Sequence, residues 1–149
     1  MKRYEQIDTS GDVGLRIWGD SMEELFENAA EGLSDLITDV SGIKEAEKKQ
    51  VALNAEKNED LLINWLNELI FLFDTYGFIG RRFVVNISPP LPSPAKGGKE
   101  GITLTSKISG GIFAPEVNES RLLIKAATYH NLSVKKVNSG WEAVVIFDI

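Results

Sequence analysis

Acidic residues near the two ends of the chain are the first side chains whose chemistry needs an explanation. The last ten residues, GWEAVVIFDI, are almost all apolar, yet Asp148 stands next to the terminal carboxylate on Ile149. Burying two neighbouring carboxylates without a partner is costly. We therefore expect either that this strand end lies in water or that a positive charge lies beside it.

Asp12, in the segment SGDVG, is the second acidic residue of interest because it directly precedes an apolar strand. A short polar residue in that position often forms only an Asx turn. The alternative hypothesis is that Asp12, Asp148 and the terminal carboxylate converge on a cation. Such oxygen ligands favour hard ions such as Ca²⁺ or Mg²⁺. Spacing along the chain leaves both interpretations open.

His130 is the only histidine and follows the segment KAATY. A lone histidine at a strand end is more often a hydrogen-bonded structural residue than a catalyst. Lys125, five residues earlier, would point to the opposite face of a regular strand. Asn64 and Glu68 share one face of a predicted helix, where a solvated stripe is the simpler interpretation.

The sequence lacks the motifs of several enzyme classes. It has no glycine-rich phosphate loop, no HExxH motif and no cysteine, which excludes disulfides and zinc-thiolate sites. The net charge of -6 makes sequence-independent nucleic-acid binding improbable, since such a surface repels phosphates. The N-terminus has no apolar signal-peptide core, and no apolar run reaches the ~20 residues of a membrane span. We expect a soluble cytoplasmic protein with no membrane partner.

Two amphipathic helices embedded among strands would position these residues. The first helix begins at Ser21, whose spacing from Glu24 is that of a capping box. The second follows Asn58 as its predicted cap and stops at Gly77. Alternating apolar residues predict about seven strands, in the segments 13–18, 48–57, 81–88, 101–109, 121–130, 132–137 and 141–148.

These elements predict an α+β domain spanning residues 1–149, with both helices packed on a mostly antiparallel or mixed β-sheet. The segment 88–101 is rich in Pro and Gly, and we expect a mobile hairpin loop there. The residues NSG at 138–140 predict a tight turn between the last two strands.

Three segments together resemble the archease family: DVGLRIWGDSMEELFENAAEGLSDLITD at 12–39, LLINWLNELIFLFDT at 61–75, and IKAATYHNLSVKKVNSGWEAVVIFDI at 124–149. The resemblance implies an α+β accessory protein for the RtcB-type RNA ligase of tRNA splicing. Such a protein promotes guanylylation of the ligase, supports its multiple turnover and broadens its use of nucleoside triphosphates. The resemblance also implies a bound divalent metal, with calcium as the expected ion.

Carried over by position, the metal ligands would be Asp12, Asp148 and an oxygen of Ile149, with Mg²⁺ or Mn²⁺ as alternatives to Ca²⁺. The family pattern KA.TYH falls on residues 125–130, which makes Lys125 and His130 the candidates for contacts with the ligase.

Two departures from the family pattern stand out. Residues 9–12, Thr-Ser-Gly-Asp, replace a frequent His-Thr-Ala-Asp, so the histidine is missing. Gly110 and Gly111 stand where the family often has Gly-Glu. Both changes affect the polar site but not the pair of aspartates.

Three functions remain in competition. The resemblance implies a protein cofactor rather than an enzyme. A chaperone-like solubility factor for RNA-modifying enzymes is the second, and it would need an exposed apolar patch. A metal-dependent phosphoesterase is the third, but two aspartates and one terminus are few ligands for the two ions such enzymes often use.

Overall fold

The structure, a computed structural model, describes residues 3–89, 92–93, 98–99 and 101–149. These residues form nine strands and two helices, with one helix after the second strand and the other after the third. The helices are α1 (Met22–Ile37) and α2 (Asn58–Tyr76), with a 3₁₀ turn at Val40–Gly42. The strands are β1 (Tyr4–Thr9), β2 (Asp12–Gly19), β3 (Glu47–Ala55), β4 (Phe78–Ser88), β5 (Pro92–Ser93), β6 (Gly98–Lys99), β7 (Ile102–Ile112), β8 (Ala126–Val137) and β9 (Gly140–Asp148).

The long strands form two antiparallel sheets. One has four strands in the order β1-β2-β9-β8, and the other has three in the order β3-β7-β4. The predicted α+β class is confirmed, but the expectation of one sheet is corrected to two. Periodicity fixes which face of a strand is buried, whereas it does not say which strands pair.

Both helices pack against both sheets and form the centre of the core. Helix α1 lies on β2 and β4, and α2 lies on β8, β4 and β3. The two helices are also joined by Trp65, which is fully buried and donates its indole N–H to the carbonyl oxygen of Phe26 at 3.0 Å. Ser34 donates its hydroxyl to the carbonyl oxygen of Gly80, which ties α1 to the three-stranded sheet.

The helix ends follow two of the three predicted signals. The hydroxyl oxygen of Ser21 accepts the N–H of Glu24 at 3.1 Å. Gly77 ends α2 in the left-handed conformation, with φ 69°. Asn58 was the wrong residue for the N-cap of α2. The extended residue there is Lys57, and Asn58 is already helical, so no side chain caps this end.

Two strand predictions also need correction. Residues 4–9 form β1, which the apolar pattern did not indicate, because only Ile7 among its central residues is a strong apolar signal. Residues 121–130 and 132–137 are not two strands. Residues 121–122 pair instead with the end of α1, where Arg121 and Leu122 donate their N–H groups to Ile37 and Leu36. From Ala126 onward the chain is one strand, β8.

The tight turn at 138–140 is confirmed between β8 and β9. Within the predicted loop 88–101, the structure describes a short antiparallel ladder between residues 92–93 and 98–99. Residues 90–91, 94–97 and 100 lie outside the described part of the chain, so the predicted mobility stays a prediction.

Neither described helix is long and apolar enough to cross a membrane.

Candidate functional site

A two-residue turn sets the position of Asp12. Thr9 pairs with Asp12 across the β1–β2 hairpin, so Ser10 and Gly11 form the turn. Gly11 has φ 84°, a conformation that side-chain-bearing residues rarely adopt. The glycine therefore allows the tight turn that makes Asp12 the first residue of β2.

The strand register brings Asp12 beside Asp148. Val13 pairs with Phe147 across β2 and β9, so one further step along both strands places Asp12 opposite Asp148. Residues directly opposite one another on antiparallel strands have Cβ atoms about 5 Å apart. Val13 and Phe147 face the core, so the two aspartates belong to the outer face.

A third strand begins at the same sheet edge. Ala126 pairs with Asp148, and the N–H of Lys125 donates to the carbonyl oxygen of Asp148 at 2.8 Å. The start of β2, the end of β9 and the start of β8 therefore meet. We call the set of Asp12, Asp148 and Ile149, with Lys125 alongside, the acidic corner.

The charges of the acidic corner are not neutralised within the described part of the chain. There, neither Asp12, Asp148 nor Lys125 takes part in an ion pair. Asp12 is half-buried and Asp148 is exposed, so a cation could reach both from solvent. Carboxylate oxygens are the ligands that Ca²⁺, Mg²⁺ and Mn²⁺ prefer, so the residues fit such an ion.

The described residues contain no group of three His, Cys, Asp or Glu side chains arranged to hold a metal ion. A cation at the acidic corner would therefore depend on an oxygen of Ile149, in addition to Asp12 and Asp148. Water would complete its shell, since Ca²⁺ takes six to eight oxygen ligands.

The family pattern at residues 125–130 runs into a large bulge in β8. Thr128 pairs with Ile146 and Ser133 with Val144, so four residues of β8 lie opposite a single residue of β9. Asn131 in this bulge has φ 52°, in the left-handed region. The hydroxyl of Thr128 donates to the carbonyl oxygen of Ile146 at 2.8 Å and anchors the bulge at its start.

Tyr129 and His130 are presented by this bulge. The phenol of Tyr129 donates to a carboxylate oxygen of Asp60 at 2.7 Å, and this hydrogen bond raises the pKa of Tyr129. His130 is exposed, and its ring lies 3.3 Å from the side-chain amide of Asn131. The backbone N–H of His130 donates to the hydroxyl oxygen of Thr128. The imidazole is thus open to a partner.

The expectation that Lys125 and His130 lie on opposite strand faces assumed a regular strand. Lys125 precedes β8, and the bulge interrupts the alternation before His130, so the two-residue period does not apply. In the described residues, no hydrogen bond or ion pair joins His130 to the acidic corner.

Asn67 is a positioning residue that the sequence did not reveal. Its amide oxygen accepts the N–H of Ala127 at 2.8 Å, and its amide nitrogen donates to the carbonyl oxygen of Ala127 at 3.3 Å. This pair fastens α2 to β8 between Lys125 and the bulge. The signal in the sequence is that this polar residue shares a helix face with Ile63 and Ile70, which are buried. Asn64, for which the sequence analysis favoured a solvated helix face, is exposed.

The backbone explains one of the departures from the family pattern. A Cβ atom on Gly111 would lie 2.2 Å from the carbonyl oxygen of Lys44, and one on Gly110 would lie 2.0 Å from that of Ile79. With the backbone in this position, a side chain at either residue would require the neighbouring backbone to move. A glutamate at position 111 would therefore need a different local path of the chain.

The chain is similar to known proteins over nearly its whole length. The Archease protein family (MTH1598/TM1083) matches residues 4–149. The chain belongs to the archease family. It is 35% identical to Protein archease of Pyrococcus abyssi over 150 residues and 34% identical to that of Saccharolobus solfataricus over 149 residues. In both cases 100% of each chain is covered.

Two solved structures share the fold. The solution structure of Methanobacterium thermoautotrophicum protein 1598 matches with a TM-score of 0.84 and 33% identity, covering 100% of both chains. A crystal structure from Thermotoga maritima, described as an archease and possible chaperone, matches with a TM-score of 0.61 and 24% identity. It covers 97% of this chain and 96% of its own. The second likeness concerns the fold alone.

Proposed function

We propose that this chain activates an RtcB-type RNA-splicing ligase in the cytoplasm. It promotes guanylylation of the ligase, supports its multiple turnover and broadens the nucleoside triphosphates that the ligase accepts. Membership of the archease family over residues 4–149 is the observation that carries this proposal. The chain then acts as a protein cofactor: the ligase holds the RNA and becomes guanylylated, and this chain does neither.

The acidic corner is the proposed working part of the activator. Asp12, Asp148 and an oxygen of Ile149 hold a divalent cation, with Ca²⁺ as the first candidate and Mg²⁺ or Mn²⁺ as the others. The register of β2 and β9, continued by one residue beyond the pair of Val13 and Phe147, supports this ligand set. A bound ion would supply a concentrated positive charge, of the kind that stabilises phosphate oxygens at a neighbouring surface.

Lys125 and His130 are the proposed contacts with the ligase. The backbone of Lys125 is bonded to Asp148, which keeps this residue at the corner while its ammonium stays free of ion pairs within the described residues. The exposed His130 stands on the bulge of β8. Asn67 and Thr128 hold the backbone between them, so both side chains start from fixed positions.

Transfer of radiolabelled GTP to the cognate ligase tests the proposal. With this chain well below the ligase concentration, we expect a faster rise of guanylylated ligase and more ligation turnovers. Asp12→Ala and Asp148→Ala should abolish the stimulation while circular dichroism shows folded proteins. Asp74→Ala, which removes an exposed carboxylate near the end of α2, is the matched control and should stimulate like the parent. Equal labelling with and without the chain, across Mn²⁺ and Mg²⁺ concentrations, would refute the activator role.

A chaperone-like solubility factor is the second candidate, and an exposed apolar patch favours it. Phe71 and Tyr76, near the end of α2, are 50% and 53% exposed, and their rings touch edge to face. Ile112 is 51% exposed and lies beside Gly77, the residue that ends α2. Light scattering of the heated ligase separates the candidates. A chaperone suppresses scattering through this patch, so Phe71→Ser would remove the protection and Asp148→Ala would not.

The phosphoesterase alternative has its own assay. Incubation of the pure chain with Mn²⁺ or Mg²⁺ and assorted phosphoesters is expected to release no phosphate. Hydrolysis that is lost in Asp12→Ala would make the chain an enzyme.

A further inference from the structure

A cleft lies at the opposite end of the four-stranded sheet from the acidic corner. The end of β2, the hairpin between β8 and β9, and the first turns of α1 surround a space of ≈ 640 Å³. Small-molecule sites have volumes of about 300–1,000 Å³. Strand β2 has eight residues, so the cleft and the corner are separated by roughly 23 Å. We call this space the tryptophan cleft.

Two tryptophans line the tryptophan cleft, and the strand register places the side chain of Trp141 on the inner face of the sheet and that of Trp18 on the outer face. Trp18 stands near the end of β2 and Trp141 near the start of β9, and both are half-buried. Gly19 pairs with Trp141, and a Cβ atom on Gly140 would lie 2.3 Å from the carbonyl oxygen of Gly19. The backbones of β2 and β9 are therefore in close contact at this end of the sheet.

An incompletely bonded polar group opens into the cleft. Asn28 on α1 is only 3% exposed and lines the cleft. Its amide nitrogen donates to the carbonyl oxygen of Trp18 at 2.7 Å. Within the described residues its amide oxygen accepts no hydrogen bond. This oxygen is not among the buried polar atoms of the described residues that lack a partner, so it keeps some access to solvent and can accept a hydrogen bond from a group that enters the cleft.

The charges at the rim favour a cation. Asp20 is exposed and in no ion pair within the described residues, and Glu24 beside it accepts the N–H of Asp20 at 3.2 Å. Arg3, which also lines the cleft, is already paired with Glu31 at 2.9 Å. Two acidic side chains, one arginine that is already paired and the indole of Trp141 on the inner face are complementary to a positively charged group.

We propose that the tryptophan cleft binds the guanidinium group of an arginine presented by a partner polypeptide. A guanidinium is planar, always charged and rich in N–H donors, so it can satisfy Asn28 and Asp20 while it stacks on an indole. The cleft is larger than one side chain, which leaves room for the residues that flank the arginine. This inference is independent of the proposed role of the acidic corner.

Tryptophan fluorescence measures this binding directly. The chain has three tryptophans, and Trp65 is fully buried in the core, so a bound ligand perturbs chiefly the two in the cleft. The probes are an acetylated, amidated Gly-Arg-Gly peptide, its citrulline counterpart and acetyl-arginine amide. We expect the arginine peptide to bind at least about tenfold more tightly than the citrulline peptide, since citrulline keeps the shape and loses the charge. It should also bind more tightly than acetyl-arginine amide.

Variants connect the signal to the cleft. Asp20→Asn and Asn28→Ala should each weaken binding of the arginine peptide by about tenfold. Asp74→Asn, an exposed aspartate outside the cleft, should leave it unchanged. Asp20 is on the surface, so its variant folds even if Asn28→Ala does not. Equal binding of the arginine and citrulline peptides, or full binding by Asp20→Asn, would overturn the site. Acetyl-arginine amide binding as tightly as the peptide would overturn the polypeptide partner.

Discussion

At the scale of single residues, the proposed metal ligands lie at strand ends, where a change of side chain has a small effect on packing. Asp148 is exposed at the last position of β9, and Asp12 occupies the first position of β2. Each is one step outside a fully buried neighbour, Phe147 or Val13. The core therefore fixes where these carboxylates lie, while their own contribution to the core is slight.

Removal of one carboxylate should consequently leave the fold intact. Asp148→Ala removes little buried apolar area and relieves repulsion with Asp12 and the oxygens of Ile149. We expect the midpoint of thermal unfolding in metal-free, chelator-treated buffer to be equal to or above that of the parent. Outright unfolding of the variant under these conditions would make Asp148 a structural residue and exclude the proposed ligand role.

The hydrogen bond between Tyr129 and Asp60 gives a second residue-scale prediction. The bond stabilises the protonated phenol and raises the pKa of Tyr129. Its stabilisation is complete below the ordinary tyrosine pKa, ~10, and is lost as pH rises through the higher folded value. Asp60→Asn should lower the pKa of Tyr129, measured by NMR titration of the ring. An unchanged pKa would mean that the phenol does not use this carboxylate in solution.

At the scale of elements, α2 acts as the support of the bulged strand. The side chain of Asn67 bonds both backbone groups of Ala127, as a neighbouring strand would. Tyr129 and Asp60 add a second connection between the same two elements. A bulge of four residues lacks regular ladder bonds, so these side chains take over the positioning of His130.

Loss of this support should be visible in stability. Asn67→Ala leaves the N–H and carbonyl of Ala127 without partners in a half-buried place, which costs about 1–3 kcal/mol of unfolding free energy. Asn64→Ala, one turn away and exposed, should change it by less than about 0.5 kcal/mol. Urea unfolding of both variants measures the difference. Equal values for the two would show that the pair with Ala127 contributes nothing to stability.

The sequence predicted the helices and strands better than it predicted which strands pair. Apolar periodicity located both helices and gave the correct buried faces of β3 and β9, because these patterns are local. The second sheet, the strand β1 and the bulge in β8 depend on pairing between distant segments, which no local pattern specifies. The same holds for the site. Asp12 and Asp148 could be named from their types, but their neighbourhood follows from the register of β2 and β9.

At the scale of the whole molecule, the two ends of the four-stranded sheet hold two different candidate sites. The acidic corner lies at one end of β2 and β9, and the tryptophan cleft lies at the other. The helices cover the inner face between them and leave both ends open to partners. Under the two proposals, this chain of net charge -6 meets a cation at one end and a cationic side chain at the other.

A cation at the acidic corner should stabilise the entire fold, because it joins the start of β2, the end of β9 and the neighbouring start of β8. An ion that binds only the folded chain adds about 2.7 kcal/mol of stability at a hundredfold excess over its dissociation constant. We expect Ca²⁺ to raise the unfolding midpoint of the parent by several degrees, and to leave that of Asp12→Asn unchanged. Potassium chloride at matched ionic strength is the control for general screening of the negative surface. An equal rise in the parent and in Asp12→Asn would assign the effect to the overall charge and remove the basis for an ion held between Asp12 and Asp148.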